Sequence, residues 1–159
     1  VHVAARVAAY LPETQDEIGE YIARLAPSVP PYWDLERARI KNSRKIKVEL
    51  IVNGEAVDAK EIVADGKFVN VAFDREIAHS SWVALRIYQS SHTNPIFITV
   101  DGKPIRASRR SADWCIKSVD RCWEMKRAAI RPEERTEAEA AYTEARKRYT
   151  AVLAEAAAD

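Results

Sequence analysis

The sequence has few of the residues on which metal and catalytic sites depend. Its three histidines stand alone at positions 2, 79 and 92, and its two cysteines lie seven residues apart. No H-x-H or H-E-x-x-H spacing occurs, so we expect no metal and no cofactor in this chain. No G-x-S-x-G elbow surrounds a serine, which leaves Ser90 or Ser91 beside His92 as sequence neighbours and not as a triad. We therefore expect the chain by itself not to be an enzyme.

An excess of one charge and long apolar runs are also missing. Lysine and arginine number 25 against 24 for aspartate and glutamate, so the chain has no basic field that would attract nucleic acid. No apolar run approaches the about 20 residues that span a bilayer. We expect neither a nucleic-acid partner nor a membrane span. The apolar content of 47% is nevertheless sufficient for a buried core.

Glycine is scarce, and its placement indicates turns. Three of the four glycines stand in Asn53-Gly54, Asp65-Gly66 and Asp101-Gly102. Asn-Gly between two alternating runs predicts a two-residue type I′ hairpin. Apolar alternation predicts strands at 1–10, 33–40, 45–52, 56–63, 68–74, 80–88 and 96–100. The predicted fold is mainly β, an antiparallel β-sandwich of about seven strands and of immunoglobulin-like type, followed by an α-helical hairpin.

Helical periodicity marks three segments. A capping-box pattern at 14–17 precedes a short helix predicted near 15–25. From Ser108 the apolar period changes from two to 3.6, and Pro132 opens a further helix. Cys115 and Cys122 fall on one helix face about 10 Å apart, too far for a disulfide. We expect a sandwich domain at 1–107 with a helical insertion near 15–25, and a helical hairpin at 108–159 packed on it.

The first candidate site is the polar loop between two strongly apolar strands, within 80–100. It holds the densest cluster of small hydrogen-bonding side chains in the chain: Ser90, Ser91, His92, Thr93 and Asn94. Functional residues often lie on loops that a rigid scaffold positions, so we expect this loop together with Arg86 to face a ligand or another domain. The alternative is a structural turn whose hydroxyl and amide groups bind its own backbone. Both interpretations stay open.

Arg86 interrupts an otherwise apolar strand, beside Trp82 and Tyr88. Its guanidinium lies over aromatic rings, pairs with a buried carboxylate such as Glu36, or faces a ligand or partner domain. The predicted strand at 33–40 repeats this mixture, and Trp, Tyr and Arg are enriched at interface centres. An aromatic and arginine face is therefore a second candidate site, against the alternative of a solvated sheet face: Trp33, Arg37, Arg39 and Trp82.

Six segments carry a family resemblance: 31–40 (PYWDLERARI), 48–57 (VELIVNGEAV), 60–66 (KEIVADG), 80–87 (SSWVALRI), 90–97 (SSHTNPIF) and 101–115 (DGKPIRASRRSADWC). With them the sequence resembles the C-terminal region of PHP-superfamily metal-dependent hydrolases of the carbaryl-hydrolase (CehA/McbA) type. The resemblance implies a bacterial parent protein whose upstream catalytic domain binds divalent metals and hydrolyses esters or related bonds. It transfers no catalytic residue, since none of the ligand motifs occurs here.

Two functional hypotheses follow. In the first, the chain is a non-catalytic accessory region of such a hydrolase, and its partner is the catalytic domain of the same parent protein. The start on Val1 within a strand-like alternation, and a single methionine at 125, agree with a piece of a longer protein. In the second, the chain is a self-standing binding module for a glycan or a protein. The compartment stays open, because the resemblance is compatible with export and no charged-then-apolar leader is visible.

Overall fold

The computed structural model describes residues 1–26, 28–29, 33–39, 42–87 and 90–156. The chain divides into two compact units, Val1–Val100 and Asp101–Asp159. Among the described residues, the first unit contains seven strands and one α-helix, and the second contains two α-helices. None of the described helices combines the length and apolar composition that crossing a bilayer requires.

The seven strands form two antiparallel sheets. In the smaller sheet, β1 (His2–Val7) pairs with β4 (Val69–Asp74). The larger sheet contains β2 (Lys45–Val52), β3 (Glu55–Val63) and β5 (Ser81–Ile87), with β2 in the middle. Two short strands, β6 (Ser91–His92) and β7 (Ile96–Ile98), both pair with the other edge of β5. The predicted class, an antiparallel sandwich followed by helices, is confirmed.

The core lies between the two sheets, because alternate side chains of a strand point to one face. Val48 and Leu50 of β2 and Leu85 of β5 pack with Val71 and Phe73 of β4. Phe73 is 1% exposed, and Val48 and Leu50 are fully buried. Full burial of a side chain of this size contributes about 1.5–3 kcal/mol to stability.

The predicted hairpin turn at Asn53-Gly54 is confirmed. β2 ends at Val52 and β3 begins at Glu55, and φ is 52° at Asn53 and 100° at Gly54. Positive φ at both central residues defines a type I′ turn. The Asn53 side chain also binds β5, since its Oδ1 accepts the Trp82 N–H (3.0 Å) and its Nδ2 donates to Ser81 Oγ (3.0 Å). The turn therefore holds three strands of the larger sheet in register.

The helix predicted near 15–25 is observed as α1 (Glu17–Arg24). Its N-cap is Asp16, whose Oδ1 accepts the Gly19 N–H (2.9 Å), and not Thr14 as the capping-box pattern predicts. The second carboxylate oxygen of Asp16 accepts from Arg37 Nη1 (3.1 Å). Asp16 therefore caps the helix and anchors the neighbouring segment with one side chain.

The strand predicted at 33–40 is wrong. Leu35–Arg37 forms a 3₁₀ turn, and Ile40 lies outside the described residues. Asp34 has a φ of 58°, which is incompatible with extended backbone. Arg37 pairs with Asp16, the N-cap of α1, and with Asp34 in the turn itself, and the local alternation indicates neither contact. The short β6 brings the number of described strands to seven.

The second unit is an antiparallel pair of helices. α2 (Arg109–Lys126) is N-capped by Ser108, whose Oγ accepts the Ser111 N–H (3.0 Å). α3 (Arg135–Glu155) follows a 3₁₀ turn that Pro132 begins. The antiparallel direction shows in the contacts, since the Arg109 guanidinium donates to the Leu153 carbonyl and the Trp123 ring packs on Tyr142 at 5.1 Å. The helical hairpin is confirmed, and its packing on the sandwich stays a prediction.

Candidate functional site

The predicted site loop leaves β5 and returns along the edge of that strand. Ser91 and His92 form β6, in register with Ile87 and Arg86 respectively. The Ser90 N–H donates to the Ile87 carbonyl (3.0 Å). All side chains from 90 to 97 are exposed. The loop is thus an extension of the sheet edge that presents its side chains to solvent.

Thr93 has a structural part in this edge. Its N–H donates to the Leu85 carbonyl (2.9 Å), and its Oγ1 accepts the Leu85 N–H (3.0 Å). Both backbone groups of Leu85 are therefore bound at the position where β6 has ended and β7 has not begun. His92 Nδ1 lies 3.0 Å from the Thr93 carbonyl oxygen. Of the predicted loop residues, Thr93 fixes the loop, while His92 and Asn94 present exposed side chains.

Arg86 pairs with a carboxylate, and this carboxylate is Glu49 and not Glu36. Arg86 Nε donates to Glu49 Oε2 at 2.8 Å, directly across from β5 to β2. The Glu49 side chain is 14% exposed and that of Arg86 38%. Since His92 stands opposite Arg86 on the other side, a polar row crosses β2, β5 and β6. Tyr88 and Gln89 lie outside the described residues.

Large apolar side chains accompany the polar row on the same edge. Trp82 precedes Arg86 by four residues on β5, so the two side chains lie on the same face of the strand. Trp82 is also in register with Phe97 of β7. Phe97 is 68% exposed and Ile96 61%. We call residues 90–97 together with Trp82 and Arg86 the β5 edge surface. Phe97 lies on the face of the Arg86–Glu49 ion pair and the His92 imidazole, whereas Ile96, in register with Val83, lies on the other face of the same edge.

The second candidate face, predicted from a strand at 33–40, does not exist as a strand face. Arg37 is held by Asp16 and Asp34, and Arg39 Nη2 donates to the Pro12 carbonyl. Trp33 is 82% exposed beside this 3₁₀ turn, whereas Trp82 lies on β5. The four residues therefore belong to two elements, and Trp33 alone offers a large exposed ring.

A groove between α2 and α3 was not identified from the sequence. Its volume is about 430 Å³, and its walls include Trp114, Ser118 and Cys122 on α2 and Ala141, Ala145 and Tyr149 on α3. The signal for it was present, because each set recurs at four-residue spacing and so forms a single helix face. The small residues Ser118, Ala141 and Ala145 leave the space that Trp114 and Tyr149 border.

The Cys122 thiol in this groove has a perturbed acidity. Its Sγ lies 3.4 Å from the Tyr142 hydroxyl, and this hydrogen bond lowers the pKa of Cys122 below the usual value of a thiol. The same contact raises the pKa of Tyr142. Cys115 and Cys122 are both free thiols. Among the described residues, no group of three or more His, Cys, Asp or Glu side chains lies together in the way that a metal ion requires.

No protein-family model, no curated protein and no solved structure matches this chain.

Proposed function

We propose that this chain is a non-catalytic accessory region that docks through its β5 edge surface onto the catalytic domain of a PHP-type metal-dependent hydrolase. The observation that carries the proposal is the exposure of Ile96 and Phe97, 61% and 68%, on an edge strand. Edge strands with exposed apolar side chains are templates for pairing with another chain or domain. A docked domain would cover both the side chains and the open edge.

The polar part of the surface supports docking in a defined orientation. Arg86 is already ordered by Glu49 at 2.8 Å, so a partner would not have to immobilise the long side chain. Junctions between domains of one chain bury about 600–1,500 Å² and are more polar than obligate interfaces. A face with an ion pair and an imidazole next to the exposed Phe97 ring matches that composition.

The resemblance supports the identity of the partner. Two of the resembling segments, 80–87 and 90–97, supply Trp82, Arg86, Ile96 and Phe97. In this proposal the divalent metal, the ester substrate and the hydrolytic residues belong to the catalytic domain. The accessory region contributes the edge against which that domain packs.

The test compares two serine variants of the full-length parent protein. Phe97→Ser removes an apolar contact from the docking edge, and Trp33→Ser removes a ring that is 82% exposed elsewhere on the same unit. Burial of an aromatic side chain is worth about 1.5–3 kcal/mol, so Phe97→Ser should weaken docking about tenfold or more. Scanning calorimetry should then resolve separate transitions for the two domains, and ester hydrolysis should fall.

The same pair of variants separates the two functional hypotheses. A self-standing binding module for a glycan or protein is favoured by one observation, the 82% exposed Trp33 ring beside Arg37. That hypothesis expects Trp33→Ser to abolish ligand binding while Phe97→Ser leaves ligand binding unchanged. An unaltered melting profile and unaltered hydrolysis in Phe97→Ser would refute the docking proposal.

A further inference from the structure

The helical unit has an apolar stripe that the contact between its own helices leaves exposed. On α2 the stripe runs through Trp114, Ser118, Cys122 and Met125 at three- and four-residue spacing. Trp114 is 68% exposed and Met125 69%. The facing stripe of α3 contains Ala141, Ala145 and Tyr149, the last 39% exposed. The groove of about 430 Å³ lies between the two stripes and opens on one face of the hairpin.

This face has the form of half of a four-helix bundle. In such bundles each helix turns one stripe toward a shared core, and large side chains of one pair fill spaces between the helices of the other. Here the lining of the groove includes Ser118, Ala141 and Ala145, which are too small to fill it. Trp114 and Met125 provide large side chains on the same face. The surface therefore offers both the projections and the spaces that a second hairpin of the same sequence would need.

Opposite charges border the two sides of the groove. On α2, the positions that lie beside the stripe, on the side away from α3, are basic: Arg110, Lys117 and Arg121. On α3, the corresponding outward positions contain three acidic residues and one basic residue: Glu137, Glu144, Arg148 and Glu155. One border is thus mainly positive and the other mainly negative. The charge pattern is complementary to itself after a two-fold rotation.

Two symmetric arrangements would bring the grooves of two copies together. If α2 lay on α2 of the second copy, the basic borders would meet and repel each other. If α2 lay on α3 of the second copy, with the two-fold axis parallel to the helices, the basic border would meet the acidic one. Electrostatic complementarity fixes register and suppresses wrong pairings, so it selects the second arrangement.

The helix register identifies the pair of residues that would meet. Asp120 pairs with Arg146, and Trp123 packs on Tyr142, which places Arg121 level with Glu144 along the hairpin. Within one hairpin the two lie on opposite borders of the groove. A two-fold axis parallel to the helices keeps the level of each residue, so Arg121 of one copy would lie against Glu144 of the other.

Existing ion pairs do not oppose this contact. On α2, Arg121 lies 3.8 Å from a Glu124 carboxylate oxygen. On α3, Glu144 accepts a hydrogen bond from Arg148 at 2.9 Å, so each pair lies on the exposed surface of a single helix. Exposed pairs of this kind contribute only about 0.3–0.5 kcal/mol, so the same groups can join a larger network. Lys117 falls level with Arg148 of the second copy, but Asp113 already offsets the first charge (2.6 Å) and Glu144 the second (2.9 Å). We propose that a second copy of this chain covers the groove, forming a four-helix bundle in which α2 of each copy packs on α3 of the other.

The proposal concerns the Asp101–Asp159 unit and is independent of docking through the β5 edge surface. Sedimentation equilibrium of the 159-residue chain, from about 1 to 100 µM, should show a reversible monomer–dimer equilibrium. Ala145→Trp would fill the groove and should weaken dimerisation about tenfold or more. Thr143→Trp, an exposed position on the face of α3 opposite the groove, is the control and should leave the equilibrium unchanged. Circular dichroism checks that each variant keeps its helices.

A charge exchange tests the arrangement without altering the groove. Arg121→Glu and Glu144→Lys should each weaken the dimer, since each places like charges together at two symmetric contacts. The double variant should restore it, because the exchanged charges again meet across the two copies. A chain that sediments as a monomer over the whole range would overturn the proposal, and so would a double variant that dimerises no better than the single ones.

Discussion

The two-residue turn at Asn53-Gly54 allows a stability prediction with a defined cause. Gly54 has a φ of 100°, a value that a β-branched residue rarely adopts. A Cβ at this position would meet Trp82 Cζ2 at 3.9 Å, an ordinary van der Waals distance. Since the space is free, Gly54→Val introduces backbone strain without a collision of the Cβ atom.

The expected fall in melting temperature follows from the backbone strain and from the number of residues in the unit. A left-handed conformation costs an L-residue about 1–2 kcal/mol. Unfolding entropy is about 2.1 cal/mol/K per residue, or about 0.2 kcal/mol/K for the unit Val1–Val100. If this unit melts as one cooperative body, Gly54→Val should lower its melting temperature by about 5–10 °C.

Scanning calorimetry of the wild-type chain, Gly54→Val and Gly54→Asn measures this effect. Asparagine tolerates positive φ, as Asn53 does in the same turn with 52°, so Gly54→Asn should lose less than half as much stability. If Gly54→Val melts with the wild type, the turn does not have the described conformation in solution. If Gly54→Asn is as damaging as Gly54→Val, side-chain bulk and not φ is the cause.

The parts of the fold that depend on local pattern were predictable. Alternation at 45–52 and 68–74 together with Asn-Gly at 53–54 identified β2, β4 and the hairpin, because period and turn chemistry act over a few residues. The prediction of a strand at 33–40 was wrong, and the turn observed there contacts a residue that is distant in sequence. Asp16 accepts a hydrogen bond from Arg37 across 21 positions, and a pattern within 33–40 does not reveal that contact.

The polar segment lies between β5 and β7, although its Ser91 and His92 form the short strand β6, and its contacts were not predictable. The pairing of Arg86 with Glu49 requires β2 and β5 to be neighbours, although β3 and β4 lie between them in sequence. The sequence shows which face a residue occupies and does not show which strand comes next to it. For the same reason Thr93 was grouped with the site, whereas its side chain and backbone bind the N–H and the carbonyl of Leu85 at the edge of the sheet.

Two further predictions concern individual contacts. A Cβ on Gly19 would lie 2.5 Å from the Arg37 carbonyl oxygen, so Gly19→Ala should cost about 1–3 kcal/mol through overpacking, more than the about 1 kcal/mol that alanine gains in a helix. Hydrogen exchange of α1 should accelerate, and a more stable variant would contradict this. Because the Tyr142 hydroxyl lowers the pKa of Cys122, Tyr142→Phe should raise that pKa and move the alkylation rate of Cys122 to higher pH, measured with Cys115→Ser. An unchanged pH profile would show that the hydroxyl does not stabilise the thiolate.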